Sequence, residues 1–347
     1  MNRNRAIDYE KGIIVAAMVL CHVMQFYGNT GSYPEQRWII LVICAMAFPT
    51  FLFAYGRSVY LAYYRRDFRS AAPRMLGSAA RSYGAFCLSG VAYNLICAGK
   101  TFSATTVKKV FLLKDIPGMS EFLAAFAVLG LVALALFPAL KWLLERPAAY
   151  WAVTLACFAS AFIPYEAVGD VRLGLLIGST KFYLFPVLQY LPFFLAGLYA
   201  GRHGMKRPVV WLAVCAVLTG GGVVRFILRG EPGRFPPELG WLVLPCLGIA
   251  LLDLLACALD RWTQQHAWAA RALASVESLG RNSLYYLVSS NLVLFSAGKL
   301  GLIPVYRKRS FPFSLAMNST PWALFWTLIL LLGIAFTAGL VRRASRR

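Results

Sequence analysis

A lysine and a histidine eleven residues apart carry the first chemistry in this chain. Residues 5–22 read Arg-Ala-Ile-Asp-Tyr-Glu-Lys-Gly-Ile-Ile-Val-Ala-Ala-Met-Val-Leu-Cys-His, and eleven residues are close to three α-helical turns. Lys11 and His22 are therefore expected on one helix face, about 16 Å apart along the axis. Asp8 lies three residues before Lys11, and Gln25 and Asn29 follow His22 at +3 and +7. A polar stripe should run up an otherwise apolar helix. An ionisable side chain within an apolar span is costly to bury and marks a site. Imidazole titrates near neutrality, so His22 suits a general base; its other use would be a hydrogen bond that fixes the packing of a neighbouring helix.

The elements that must position these residues follow from composition. Of 347 residues, 59% are hydrophobic and 14% charged, with a mean hydropathy of +0.63. Soluble domains carry about 25% charged residues, so a soluble enzyme is excluded, along with collagen, a disordered tail and a disulfide-stapled secreted domain. The pattern predicts an all-α membrane protein forming one integral-membrane domain over residues 1–347. Apolar segments fall at 12–28, 38–62, 75–98, 121–143, 147–164, 182–200, 208–228, 237–259, 283–304 and 321–341, each near the ~20 residues a spanning helix needs. Ten spans put both termini on one side. The basic ends, with Arg3 and Arg5 at one and Arg342, Arg343, Arg346 and Arg347 at the other, put that side in the cytoplasm. The charged approach through Asp8, Glu10 and Lys11 makes the first span a retained helix and not a cleaved signal.

The net charge is +21. In an apolar chain this excess fits loops facing anionic lipid, or an anionic cosubstrate, and not nucleic acid. Short basic segments at 65–81, 141–146, 202–207 and 261–281 are the expected cytoplasmic loops. The outer segments 99–120 and 305–320 are also basic, through Lys108, Lys109, Lys114, Arg307, Lys308 and Arg309. The eight cysteines have no metal-like spacing and read as small core residues. Asp253 stands as a lone carboxylate in an apolar run. Arg57 reaches phosphate or snorkels to the interface. Glu277 reads as a helix-entry charge, Glu166, Asp170 and Arg172 as outer-loop residues, and His203 and His266 as solvated. Gly220, Gly221 and Gly222 would allow close helix approach.

Four segments in order resemble one family. The first is Arg5-x-x-Asp8-x-x-Lys11-Gly12 followed by His22. The second is the aromatic run Phe48-Pro-Thr-Phe-Leu-Phe-Ala-Tyr-Gly56, with Tyr55 at a usual serine position. The third is arginine-rich: Arg66-x-x-Arg69 has the literal spacing, whereas Arg81 has the better position at a helix start. The fourth, Ser278-Leu-Gly-Arg-Asn-Ser-Leu-Tyr-Tyr-Leu-Val-Ser-Ser-Asn291, ends in Ser290 and Asn291 where a histidine is usual. Together they resemble the membrane-bound acyltransferase-3 superfamily, at both ends of the chain; residues 100–270 match no motif of it.

The resemblance implies transfer of a short acyl group, usually acetyl from acetyl-CoA, to a carbohydrate or similar hydroxyl or amine acceptor. His22, Lys11 and Asp8 would be the catalytic face. Arg65, Arg66, Arg69, Arg74, Arg81 and Arg57 would hold the donor phosphates, since guanidinium binds phosphate through paired N–H groups. His22 would deprotonate the acceptor or be acylated itself. The expected setting is a bacterial inner membrane, with lipid and a possible second copy as further partners and no metal. A proton-coupled transporter or flippase using His22, and a noncatalytic component of polysaccharide assembly, are the competing readings.

Overall fold

In the computed structural model, residues 4–204, 207–299 and 319–344 are described. The first helix, α1 (Arg5–Tyr27), starts at Asn4, whose side chain accepts from the Ile7 N–H. It is the centre of the molecule: apolar and polar residues alike are buried around most of its circumference. Five helices surround it: α2 (Pro34–Val59), α12 (Cys246–Gln265), α14 (Ala274–Arg281), α15 (Ser283–Lys299) and α16 (Thr320–Ala344). A helix buried on most sides is a core helix, and its polar residues must find partners in its neighbours.

Glycines set the two tightest contacts. A Cβ at Gly12 would lie 2.1 Å from the Val276 carbonyl oxygen, and one at Gly280 would lie 1.8 Å from that of Asp8. Gly12 of the Lys-Gly signature and Gly280 of the Leu-Gly segment thus let α1 and α14 touch backbone to backbone. The second contact joins α2 to α9 (Val187–His203), where Gly56 meets the Phe194 carbonyl and Gly197 meets that of Phe53. In α10 (Pro208–Arg229), Gly222 approaches the Gly240 carbonyl, whereas Gly220 and Gly221 face open space.

The third helix, α3 (Phe68–Ile96), begins seven residues before the expected 75 because Asp67 caps it, accepting from the Ser70 N–H at 2.9 Å. Those bonds from Ser70 hold the exposed Asp67 carboxyl below its ordinary range. Arg69, Arg74 and Arg81 are therefore helical and exposed, not loop residues. Against α3 lie α15 and α5 (Glu121–Ala135). The expected span 121–143 is two helices, α5 and α6 (Phe137–Leu143), bent by 74°. Next come α7 (Pro147–Ala159), which packs on α9, α11 (Leu239–Val243), which packs on α10, and the short α4 (Ala104–Phe111) and α13 (Ala267–Ala272), which pack on α3 and α12 respectively.

No strand occurs among the described residues; an isolated bridge joins Arg234 to Pro237. The all-α expectation holds. Among the described residues, four helical stretches are long and apolar enough to cross a membrane: Pro34–Tyr64, Pro208–Arg229, Leu239–Gln265 and Thr320–Gly339, with the bent α5–α6 pair as a fifth. That is fewer than the ten expected. α1 and α3 are long enough but carry charged residues in their first turns, and Pro147–Phe162 and Ser283–Ala297 are shorter apolar helices. The basic residues Arg307, Lys308, Arg309, Arg346 and Arg347 lie outside the described residues.

Candidate functional site

His22 is buried, and its Nδ1 lies 3.0 Å from Asn291 Oδ1 on α15. The orientation of that amide follows from its other contacts. Asn291 Nδ2 donates to the Met119 carbonyl at 2.9 Å and to Ser89 Oγ on α3 at 3.3 Å. A carbonyl can only accept, so the amide nitrogen faces Met119 and the amide oxygen faces His22. The His22 proton is then on Nδ1, and the Nε2 lone pair is free to take another. Asn291 occupies the position where the fourth motif would carry a histidine. Met119 reaches it from the left-handed region, at φ 62°, a conformation uncommon for a residue with a side chain.

The polar stripe of α1 divides between neighbours. His22 turns to α15, whereas Gln25 donates from Nε2 to Cys44 Sγ on α2 at 3.5 Å. Cys44 in turn lies 3.6 Å from Cys21 Sγ. Asp8 and Lys11 sit at the start of the same helix, buried and half-buried. Arg5 binds Glu277 through Nε at 3.1 Å and Nη2 at 2.8 Å, so Glu277 ties α14 to α1 and is more than a helix-entry charge.

Asp253 is not a lone carboxylate. It forms an ion pair with Arg57, which also reaches Glu10 at 3.4 Å; all three are buried and join α12, α2 and α1. The second oxygen of Glu10, Oε1, has no hydrogen-bond partner among the described residues.

Of the arginines expected to hold phosphate, the structure brings Arg65 into a basic pocket of about 540 Å3. Its other lining residues include Lys141 of α6, Arg202 and His203 at the end of α9, and Tyr60 and Tyr64. The C-terminal end of α9 favours positive charge. Lys141 is held by donation to the Arg66 carbonyl at 3.1 Å. His203 is not merely solvated: it stacks on Tyr199, with ring centroids 4.3 Å apart, and lines the pocket. Arg66, Arg69, Arg74 and Arg81 are not among its lining residues. Asp170 caps α8 (Val171–Ile177), and Arg172 donates to the Leu112 carbonyl.

Sequence reasoning missed a third group. Arg234 lies on the loop between α10 and α11, which is pinned by Glu238 accepting from Arg225 at 2.7 Å and from the Gly233 N–H at 3.0 Å. Its guanidinium rests on Phe185 and Phe235, at 5.3 and 4.6 Å from their centroids. Its charge bears on His22, Glu121, Cys44 and Tyr190. Arg234 Nε, Glu121 Oε2 and the Tyr190 hydroxyl are all buried without hydrogen-bond partners among the described residues. Two donors and an acceptor left open beside aromatic faces suit a polar molecule entering there. The one local signal was a charge at the start of an apolar segment: Glu121 opens 121–143, and Arg234 stands just before 237–259.

Among the described residues, no group of three His, Cys, Asp or Glu side chains stands where it could hold a metal ion. A comparison with curated proteins finds no match. A family model described as "Acyltransferase domain", the acyltransferase-3 model, matches residues 4–342. With nearly the whole chain covered, and with its opening helix and its Leu-Gly segment in backbone contact, the protein belongs to the acyltransferase-3 family of membrane acyltransferases.

Proposed function

We propose that this acyltransferase is an O-acetyltransferase of the bacterial inner membrane. It moves acetyl from cytosolic acetyl-CoA to a hydroxyl of a carbohydrate or other envelope acceptor, with His22 as general base. The observation that carries this reading is the bond between His22 Nδ1 and Asn291, which leaves Nε2 as the proton acceptor. The acceptor oxygen attacks the thioester carbonyl while its proton passes to Nε2. The carbon–sulfur bond then breaks, and CoA leaves as a thiol carrying that proton.

Arg65, Lys141 and Arg202 are the donor-phosphate residues in this reading, because they converge on one pocket while Arg66, Arg69, Arg74 and Arg81 stand apart from it. Arg57 serves the core through Asp253 and Glu10 instead. Lys11 and Asp8 support the cytoplasmic end of the His22 helix. The acceptor enters from the other side, past Arg234, Glu121 and Tyr190, with both chain termini cytoplasmic.

Purified protein given radiolabelled acetyl-CoA should release CoA and label an envelope acceptor fraction. Removing a general base lowers rate by about 10²–10⁴. His22→Gln keeps a side chain that can donate to Asn291 but cannot take a proton at neutral pH, so it should be nearly as inactive as His22→Ala. A hydrogen bond between membrane helices averages only about 0.6 kcal/mol. A folded His22→Gln protein with near-normal turnover would therefore remove His22 as base.

A further inference from the structure

A cleft of about 730 Å3 opens between α7, α9, α10 and α12, away from His22. Its origin is local. From Thr219 onward α10 is fastened to the body: Thr219 Oγ1 donates toward the Val243 and Leu244 carbonyls and accepts from the Leu247 N–H at 2.9 Å. Gly222 then brings the backbones together. The half of α10 before Thr219 stands off from α7 and α9, and its Trp211 contacts Trp151 of α7 with ring centroids 5.3 Å apart. Val210 and Val214 face the gap and remain 55% and 49% exposed.

The walls ask for an apolar occupant. Thr154 donates its hydroxyl back to the Tyr150 carbonyl, so it offers the cleft no free proton. Water would find few partners there. Along α10 the lining runs from Arg207 and Val210 to Leu218; Val210 to Leu218 spans about 12 Å, within the ~15 Å of hydrocarbon in one leaflet. His203 and Arg207 form one mouth, beside Trp151, Tyr199 and Trp211, an aromatic set suited to headgroup level. Arg207 has no ion pair among the described residues. The basic pocket with Arg65, Lys141 and Arg202 adjoins through His203.

We propose that the cleft is a binding site for one anionic glycerophospholipid of the cytoplasmic leaflet. An acyl chain lies along Val210, Val214 and Leu218, and the phosphate meets Arg207. The site rests on the orientation given under the proposed function, but not on the acyl-transfer reaction.

The test uses the full chain in detergent, delipidated and then offered dioleoyl phosphatidylglycerol or dioleoyl phosphatidylcholine, with retained lipid counted by native mass spectrometry. One phosphatidylglycerol should be retained per chain, in preference to phosphatidylcholine. Val214→Trp, which fills the cleft, should abolish retention, while Val209→Trp on the outward face should not. Arg207→Glu should weaken phosphatidylglycerol at least about five-fold, the effect of one basic residue at an anionic surface. A phosphatidylglycerol with a photoreactive acyl chain should crosslink α7, α9 and the Val214 face of α10, a readout that stands even if Val214→Trp misfolds. Equal retention of the two lipids, crosslinks confined to the Val209 face, or stronger competition by long-chain acyl-CoA than by phosphatidylglycerol would overturn the site. Loss of acetyl transfer with lipid retention intact would bear on the reaction alone.

Discussion

Asn291 has no acid–base chemistry of its own, yet it decides which nitrogen of His22 can act. Its amide is held by the Met119 carbonyl and Ser89, so it positions the imidazole and fixes the proton on Nδ1. Asn291→Ala should lower kcat by about 10–100-fold, the range seen when a partner that orients a functional histidine is removed. Asn291→Gln, which keeps the amide at a longer reach, should recover part of it. Steady-state kinetics on protein of unchanged melting temperature checks this; a merely structural residue would move the melting temperature and not kcat. His22 stood out as a candidate by its spacing to Lys11, but its partner did not. The sequence offered Asn291 as a departure from a pattern, and only the crossing of α1 over α15 turns it into a ligand of the imidazole. Arg234, Glu121 and Met119 were illegible for a similar reason. Met119 and Arg234 come from loops and Glu121 from the first position of α5, where no periodicity tells which side chain points inward.

Between elements, the contact of α1 with α14 sets where His22 sits. Gly280→Ala would drive a methyl into the Asp8 carbonyl, 1.8 Å from the added carbon, and backbone on both sides cannot yield as a side chain would. Overpacking of this kind costs about 1–3 kcal/mol or more. Gly280→Ala should therefore lower the melting temperature in detergent and reduce turnover together, whereas Gly220→Ala, with nothing within 4 Å, should leave both unchanged. Thermal unfolding beside an activity assay separates the two. Helix existence was well written in the sequence, since apolar runs declare it. Boundaries were less so: Asp67 followed by Ser70 is a capping signal, yet the arginines around it read as a loop. The break between α5 and α6 falls next to Pro138 in an unbroken apolar run, where hydropathy is blind to a 74° bend.

For the whole molecule, the buried set of Glu10, Arg57 and Asp253 ties together helices from opposite ends of the chain. Each charge stood out in an apolar segment, but Arg57 and Asp253 are 196 residues apart and no local rule pairs them. That distance is also a delay. A chain lengthening at about 5–20 residues per second exposes Arg57 to the bilayer roughly 10–40 s before Asp253 exists. An unpaired arginine within a membrane helix resists insertion, and Arg57 lies in the last turn of α2. Glu10, made 47 residues before Arg57, is present throughout that interval, and in the folded protein it lies 3.4 Å from the same guanidinium. Glu10→Gln should accordingly reduce the yield of membrane-integrated protein in a pulse–chase more than it lowers the melting temperature of the fraction that completes assembly. Equal losses in both would make Glu10 a resident of the native core and nothing earlier. One guanidinium is thus held by a carboxylate made before it and by another made long after it, so the order of synthesis bears on how this core is assembled.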